Sequence, residues 1–380
     1  MEILKCSKKL ILWHEFDGPG DISIKVLEKI CEMYSETNNV NVIPVVKNIY
    51  EITAFFKSKP KDIDMPQMAF LPSDMVMFAY KGGFSEVPKY LYKDRISESA
   101  LKTMVFEGKQ LGLPVIGGNH LLLYYNKNIF PHGILDWEEL YGKVEEFRGK
   151  QISPVSLDIY QLYWILPILS AFGAWPVEGQ NPNNIDFDSL KKAFCFISSM
   201  MDKGILESYA ASTEMLDKFF EGKVGAIIAG EWSYSYIMKN FGENTGVCRI
   251  PSIGGKCCTS VTSALGLVYT GHSLESENRD CLLGFGEFLL SEECQMMWIN
   301  GVDRIPLNMK VGDKLIKNAS DNKRVVLKQM NESHPLLVTR HSEKLWPVLE
   351  EGKEMFWYGN LEIDETIKKM KEKINLFYCV

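Results

Sequence analysis

The sequence predicts an α/β fold with two lobes, and three observations lead to this class. The chain has 380 residues, which exceeds the size at which a single hydrophobic core keeps growing. Short runs that are apolar on both faces, such as residues 224–229, alternate with segments of helical periodicity. Low-complexity linkers are absent from the sequence, so we expect continuous strands, and not a flexible tail, to join the lobes.

The predicted elements follow in order along the chain. A buried strand at residues 10–13 leads through a Gly/Pro turn into an amphipathic helix at residues 21–34. Strands are predicted at residues 67–71 and 111–114, and a helix opens near Tyr163 and ends near Gly173. The remaining long helices are predicted at residues 277–299 and 360–375, the second with Ile363, Ile367, Met370 and Ile374 on one stripe.

The segment 215–238 is the most informative part of the chain. A helix can end at Gly222 in a left-handed conformation, and the buried strand 224–229 follows it. After Gly230 the chain turns into a helix whose first turn carries Glu231 and Trp232. Because open α/β sheets bind ligands at the carboxyl ends of their strands, an aromatic ring there is placed to stack on a ligand.

This segment resembles the pattern F-x-x-G-x-x-A-x-x-x-x-G-x-W of the extracellular sugar-binding proteins of ABC importers, the maltose-binding protein family. The pattern is met by Phe219 or Phe220, Gly222, Gly225 or Ala226, Gly230 and Trp232. Residues 9–20, 111–130 and 360–375 are similar to the opening strand, the G-x-P…Y-Y-N-K segment and the C-terminal helix of that family. The resemblance extends over residues 9–375.

The resemblance implies a two-lobed, type II periplasmic-binding-protein-like fold. Residues 1–118 and 259–305 would form the N-terminal lobe, and residues 119–258 and 306–380 the C-terminal lobe. Three crossings of the chain would then form a hinge, with the ligand cleft between the lobes.

The same resemblance implies a set of ligand-binding residues, because such a cleft pairs aromatic platforms with short polar groups. The candidates in the C-terminal lobe are Trp232, Trp346, Tyr163, Trp164 and Glu231. The candidates in the N-terminal lobe and at the first crossing are Glu15, Asp17, Phe70, Asp74, Asn119 and His120. For the rings the alternative is core packing, and for the polar side chains it is helix capping or turn formation.

Composition excludes several classes of function. The net charge is −7 and the charges are interspersed, without the basic stripe that nucleic acid requires. The sequence contains no G-x-S-x-G, P-loop or HExxH motif and no cluster with metal-ligand spacing. We therefore expect no cofactor, no metal and no conventional catalysis.

The N-terminus and the cysteines bear on location. Residues 1–12 lack the apolar core of a signal peptide, and the sequence has no run of about 18 apolar residues that could span a membrane. The nine cysteines are odd in number and lack C-x-x-C spacing, so most are expected to be small buried side chains without a disulfide.

The predicted function is the binding of a small carbohydrate, of one to three sugar units, and its delivery to the membrane permease of an ABC transporter. The protein would act as a monomer outside the cytoplasm after removal of a signal segment. One alternative is a cytosolic ligand-binding sensor, which the N-terminus and the cysteines favour. The other is a thiaminase-like enzyme on the same scaffold, which needs a cysteine in the cleft, whereas residues 117–121 contain none.

Overall fold

The computed structural model describes residues 8–16, 22–58, 65–81, 83–176, 181–209, 212–336 and 338–378. The strands are β1 Lys9–His14, β2 Asn41–Val46, β3 Met68–Pro72, β4 Val105–Phe106, β5 Lys109–Gln110, β6 Leu113–Gly118, β7 Leu121–Asn126, β8 Ser153–Ser156, β9 Leu206–Glu207, β10 Val224–Gly230, β11 Thr245–Cys248, β12 Val261–Tyr269, β13 Ile305–Pro306 and β14 His334–Pro335. The α-helices are α1 Ser23–Asn38, α2 Ile49–Ser58, α3 Lys89–Tyr92, α4 Glu98–Lys102, α5 Val144–Lys150, α6 Leu162–Phe172, α7 Phe187–Asp202, α8 Ser212–Phe220, α9 Tyr234–Phe241, α10 Arg279–Leu289, α11 Glu292–Val302, α12 Met309–Asn318, α13 Asp321–Glu332, α14 Ser342–Trp357 and α15 Ile363–Tyr378.

The chain divides into two compact units. The first unit comprises Met1–Asn119 and Ser263–Ala319, and the second comprises His120–Thr262 and Ser320–Val380. Each unit is therefore built from two separate stretches of sequence, and the chain passes from one unit to the other three times.

The sheet of the first unit has the strand order β2-β1-β3-β12-β6-β13. Strand β1 is parallel to β2 and β3, whereas β12 is antiparallel to both β3 and β6. Helix α1 covers this sheet with a stripe that includes Leu27, Ile30, Cys31 and Tyr34, all buried as its helical spacing predicts.

The sheet of the second unit repeats this order with different strands. Its order is β9-β8-β10-β7-β11, in which β8 is parallel to β9 and β10, and β7 is antiparallel to β10 and β11. In the described residues, each sheet has four strands that run in the same direction, and numbered in chain order they lie across the sheet as second, first, third and fourth. One antiparallel strand, β12 or β7, lies between the third and the fourth. This shared topology confirms the predicted α/β fold of the type II periplasmic-binding-protein kind.

Several elements of the second unit lie where local sequence patterns predict them. Strand β10 is buried along its whole length, and Gly222 before it has a φ of 71°. Helix α6 ends at Gly173, which has a φ of 81° and donates its N–H to the last turn. Both glycines occupy the left-handed region, where a side chain would be strained.

The predicted single helix at residues 277–299 is wrong, because two helices occupy this region. Helix α10 ends at Leu289, and Ser291 then caps α11 by accepting the N–H of Cys294 at 3.1 Å. A serine in an extended conformation offers the first turn of α11 a bond that a continuous helix would not contain.

The predicted last crossing, near residues 303–308, also requires correction. Strand β13 pairs with β6, and α12 packs against α11, so residues 306–319 belong to the first unit. The boundary between the units lies instead between Ala319 and Ser320.

A fully buried glutamine explains why the chain stays in the first unit. The Gln295 amide donates to the carbonyl oxygens of Val115 and Leu289, at 3.0 and 2.9 Å. Its oxygen accepts the N–H groups of Leu307 and Asn308, at 2.9 and 3.0 Å. One side chain thus joins β6, the end of α10 and the segment that follows β13.

The described cysteines differ in burial, and fewer than half of them are buried as predicted. Seven cysteines are described and all are free thiols; Cys31, Cys258 and Cys294 are buried. Cys195, on α7, and Cys257 are exposed.

We predict that Gln295→Leu lowers the free energy of unfolding by about 2–4 kcal/mol, because the buried Leu289 carbonyl and Asn308 N–H lose the bond to Gln295, whereas the Val115 carbonyl and the Leu307 N–H keep the bond between them at 3.2 Å. Urea unfolding of the purified variant measures this loss. Met296→Leu on the same helix is the control, with an expected loss of about 1 kcal/mol or less. Equal effects of the two substitutions would contradict the role assigned to Gln295.

Candidate functional site

The polar candidates of the first unit share one edge of its sheet. Strands β1, β3 and β6 run in the same direction, since β1 is parallel to β3 and β12 is antiparallel to both β3 and β6. Glu15 directly follows β1, Asp74 follows β3, and Asn119 follows β6. The topology therefore brings these three residues to the carboxyl edge of one sheet, where α/β proteins bind ligands.

The backbone around Glu15 is fixed by its two neighbours. His14 and Phe16 are buried, and His14 Nδ1 accepts the Phe16 N–H at 3.3 Å. Glu15 between them remains half-buried. Asp17, the other predicted carboxylate of this turn, lies outside the described residues.

Asp74 is an acid in an unfavourable environment for its charge. It lies in the first turn of the 3-10 helix Ser73–Lys81, and Ser73 Oγ anchors this turn by accepting the Ala264 N–H of β12 at 3.4 Å. The carboxyl keeps part of its surface accessible, but surrounding protein removes most of its solvation and raises its pKa from 3.8 to about 6. Perturbed acids of this kind concentrate at functional sites.

Of two further candidates at this edge, Phe70 is buried and Asn119 is half-buried. The Phe70 ring is 0% exposed and lies between Phe16, at 5.5 Å between ring centroids, and Trp298, at 6.0 Å. Phe70 is therefore a core residue with no ring face for a ligand, which corrects its predicted role. Asn119 has a φ of 52°, a conformation that asparagine tolerates better than most residues, and it stays half-buried.

The aromatic candidates of the second unit meet at the corresponding edge of its sheet. Strands β8 and β10 are parallel, and they are followed by α6 and by the turn Glu231–Ser233. The Trp232 ring lies 6.0 Å from the Trp164 ring and 6.5 Å from the Tyr163 ring, between centroids. We call Tyr163, Trp164 and Trp232 the aromatic group. Trp164 is buried, whereas Tyr163 and Trp232 keep exposed surface.

The turn that carries Trp232 is held by hydrogen bonds to its backbone. The Tyr124 hydroxyl donates to the Gly230 carbonyl at 3.1 Å, and the Glu231 N–H donates to the His120 carbonyl at 2.9 Å. Gly230 has no side chain, and the Trp232 ring folds over it, so a Cβ there would lie 2.3 Å from three ring atoms.

Glu231 and His120 are buried, at 1% and 0% exposure. His120 Nε2 lies 3.0 Å from the carbonyl oxygen of Val326 in α13. For His120 this contact favours the structural alternative, since its ring is packed against the middle of α13. Glu231 stands at the head of the turn before α9, where the helix dipole favours a carboxylate.

Trp346 has a different aromatic partner. Its half-buried ring lies 6.3 Å from Trp175 in an edge arrangement. Trp175 follows the C-terminal end of α6, whereas the aromatic group lies at the N-terminal end of that helix. The observed contact therefore places Trp346 beside Trp175 and not within the aromatic group.

Sequence reasoning missed one aromatic residue near this site. Tyr358, at the end of α14, stacks on Tyr160 with a centroid distance of 5.0 Å and an interplanar angle of 10°. Both rings are exposed, at about two fifths of their surface. The two residues are 198 positions apart, so no local pattern could have paired them.

Comparison with known proteins identifies the family. The family model of bacterial extracellular solute-binding proteins matches residues 29–323. The chain belongs to this family. One relative of this solute-binding protein is the maltodextrin-binding protein MdxE of Bacillus subtilis, 22% identical over 349 residues that cover 84% of this chain and 79% of the relative. Putative binding proteins of Brucella abortus and Brucella suis are 22% identical over 251 residues, and the match spans 58% of their length.

The family assignment confirms the resemblance found in the sequence. It also supplies the general activity, since members of the family bind solutes outside the cytoplasm, as their description states. In the described part of the chain no helix is long and apolar enough to cross a membrane.

We predict that Asp74→Asn stabilises the solute-binding protein at neutral pH. The pKa of Asp74 is higher in the folded protein than its ordinary value of 3.8, so the carboxyl stabilises the fold below pH 4. This contribution is lost as the pH rises through about 6. Relative to wild type, the variant should gain about 1–2 kcal/mol above pH 7 and nothing at pH 4, a range reduced for the partial exposure of the group.

Urea unfolding of both proteins between pH 4 and pH 8 measures this difference. Asp313→Asn, at an exposed position of α12, controls for the removal of one carboxylate from the surface. A difference between Asp74→Asn and wild type that does not change with pH would contradict the assigned pKa.

We predict that Gly230→Ala displaces the Trp232 ring, because the new Cβ would occupy the space of the ring. The near-ultraviolet circular dichroism of the indoles should change, and it should not change further when the substitution is made in a Trp232→Ala background. Gly142→Ala, where a Cβ meets nothing within 4 Å, is the control. An unchanged spectrum of Gly230→Ala would show that the ring does not rest on Gly230.

Proposed function

We propose that this solute-binding protein binds a small carbohydrate, of one to three sugar units, and delivers it to the membrane permease of an ABC importer. Binding itself is then the function, without a catalytic step. The aromatic group carries this proposal, and the polar residues at the carboxyl edge of the first unit complement it.

The half-buried Trp232 ring is the observation on which the proposal rests. A large apolar ring with exposed surface at the carboxyl end of a buried strand is unfavourable in water, and a sugar can cover it. Sugar rings present C–H faces that stack on aromatic planes. Tyr163, beside Trp232, adds a second ring and a hydroxyl that can donate or accept a hydrogen bond.

Short polar side chains provide the second half of a sugar site. Glu15, Asp74 and Asn119 follow three parallel strands of the first unit, and their oxygens can accept hydrogen bonds from sugar hydroxyls. We propose that these oxygens contribute to sugar binding in addition to the rings, and that bound sugar selects one of two conformational states of the protein. The shift toward that state is limited by the difference in affinity between the two states.

The proposed location, partner and ligand class are supported by the family and by one relative. The family is described as extracellular, and the Bacillus subtilis relative is named a maltodextrin-binding protein. We propose accordingly that the protein works outside the cytoplasm, as a monomer, together with a membrane permease. A thermal-shift screen of saccharides identifies the sugar.

We predict that one member of a panel of mono-, di- and trisaccharides raises the melting temperature in a concentration-dependent way. A ligand that binds only the folded state adds about 2.7 kcal/mol at one hundred times its dissociation constant. Differential scanning fluorimetry measures the shift. If no sugar shifts the melting temperature while the protein converts a small molecule, the enzyme alternative replaces the proposal.

Trp232→Ala should weaken the binding of that sugar by about 1–3 kcal/mol, through the loss of stacked apolar area. Isothermal titration calorimetry of wild type and variant measures the change. Tyr141→Ala, at an exposed tyrosine of the same unit, is the matched control and should leave the affinity unchanged. A Trp232→Ala protein that unfolds easily but binds with wild-type affinity would show that Trp232 serves the core.

A further inference from the structure

A buried lysine lies beneath the start of α6 in the second unit. Lys353 of α14 is 1% exposed, and its ammonium lies 3.0 Å from Glu350 Oε2. It also donates a hydrogen bond to the carbonyl oxygen of Tyr160. A buried ammonium is unfavourable unless it is paired and hydrogen-bonded, and both conditions are met here.

The carboxylate of Glu350 caps the N-terminus of α6. Gln161, the N-cap residue of α6, makes no side-chain capping bond. Glu350 Oε1 accepts the Leu162 N–H at 2.9 Å instead. The first turn of α6 is thus capped by a residue 188 positions away in the sequence.

The Glu350–Lys353 pair therefore holds two consecutive parts of one turn, the carbonyl of Tyr160 and the N–H of Leu162. The next two residues are Tyr163 and Trp164, which contact Trp232. Any shift of this turn moves two of the three rings of the aromatic group.

Stability alone does not account for such a pair. Apolar residues of similar volume commonly replace a buried ion pair without loss of stability. Apolar side chains, however, cannot accept the Leu162 N–H or donate to the Tyr160 carbonyl. Beyond packing, the pair therefore contributes hydrogen bonds of defined direction to these two backbone groups.

We propose that Glu350 and Lys353 are positioning residues that set the orientation of the aromatic group, and hence the affinity of the sugar site. This inference rests on the proposed function for its effect on affinity. Its structural part, the effect of the pair on the rings, can be tested without any ligand.

The test uses the double variant Glu350→Leu/Lys353→Met, which removes both charges together and leaves no single buried charge. Full-length protein is labelled with 5-fluorotryptophan, and the resonances of Trp164 and Trp232 among the eight tryptophans are assigned by their loss in Trp164→Phe and Trp232→Phe. The control is Glu145→Leu/Arg148→Met, an exposed pair on α5 with the same spacing of three residues.

The expected result is that the ¹⁹F resonances of Trp164 and Trp232 shift or broaden in the double variant but not in the control. Resonances of Trp346 and Trp357 carry no weight, because both lie on α14. Unmoved Trp164 and Trp232 resonances would overturn the inference, even if the melting temperature falls.

The second measurement is the dissociation constant, by titration calorimetry, of maltotriose or of the panel sugar that gives the largest thermal shift. The double variant should bind the sugar about tenfold more weakly than wild type. In a Trp232→Ala background, the same two substitutions should weaken binding less than about twofold relative to Trp232→Ala alone, because the effects of coupled residues are not additive. Equal losses in both backgrounds would overturn the inference. Absence of sugar binding by wild type would contradict the proposed function alone, since the fluorine measurement needs no sugar.

Discussion

Complete burial of the central strands is the constraint on which the site in each unit depends. Strands β3, β6 and β10 are buried at every position, because helices cover sheets of parallel strands on both faces. Such strands have no place for a polar or solvent-facing side chain along their length. Side chains with accessible surface can therefore appear only where such a strand ends, as the candidate residues Asp74, Asn119 and Trp232 do.

The two units meet this constraint with different chemistry. The first unit presents carboxylates and an amide at the ends of its parallel strands, and the pKa of Asp74 is raised by the burial that its position imposes. The second unit presents rings. The Trp232 ring lies over Gly230, which has no side chain, and a carboxylate from α14 holds the start of α6, which carries the other two rings. Polar groups form directional bonds, whereas rings provide stacking area.

Long-range polar contacts fix details that apolar packing leaves open. Gln295 binds four backbone groups from three segments and keeps the chain after β13 in the first unit. Glu350 and Lys353 bind two backbone groups of one turn in the second unit. Hydrophobic burial is non-directional, whereas a buried amide or carboxylate must meet its partners within a narrow range of distance and angle.

The sequence by itself determined the fold class, the buried strand β10, the helix ends at Gly222 and Gly173, and the place of Trp232 after that strand. The type II fold class followed from the resemblance of residues 9–375 to the maltose-binding protein family, and the other features depend on apolar periodicity or on a glycine within a few residues. Only the tertiary structure decided that Phe70 belongs to the core, that helices α10 and α11 are separate, and that residues 306–319 remain in the first unit. It alone paired Glu350 with the start of α6. These outcomes depend on contacts between segments far apart in the chain, and local propensity carries no information about which distant group will accept a given hydrogen bond or cover a given ring.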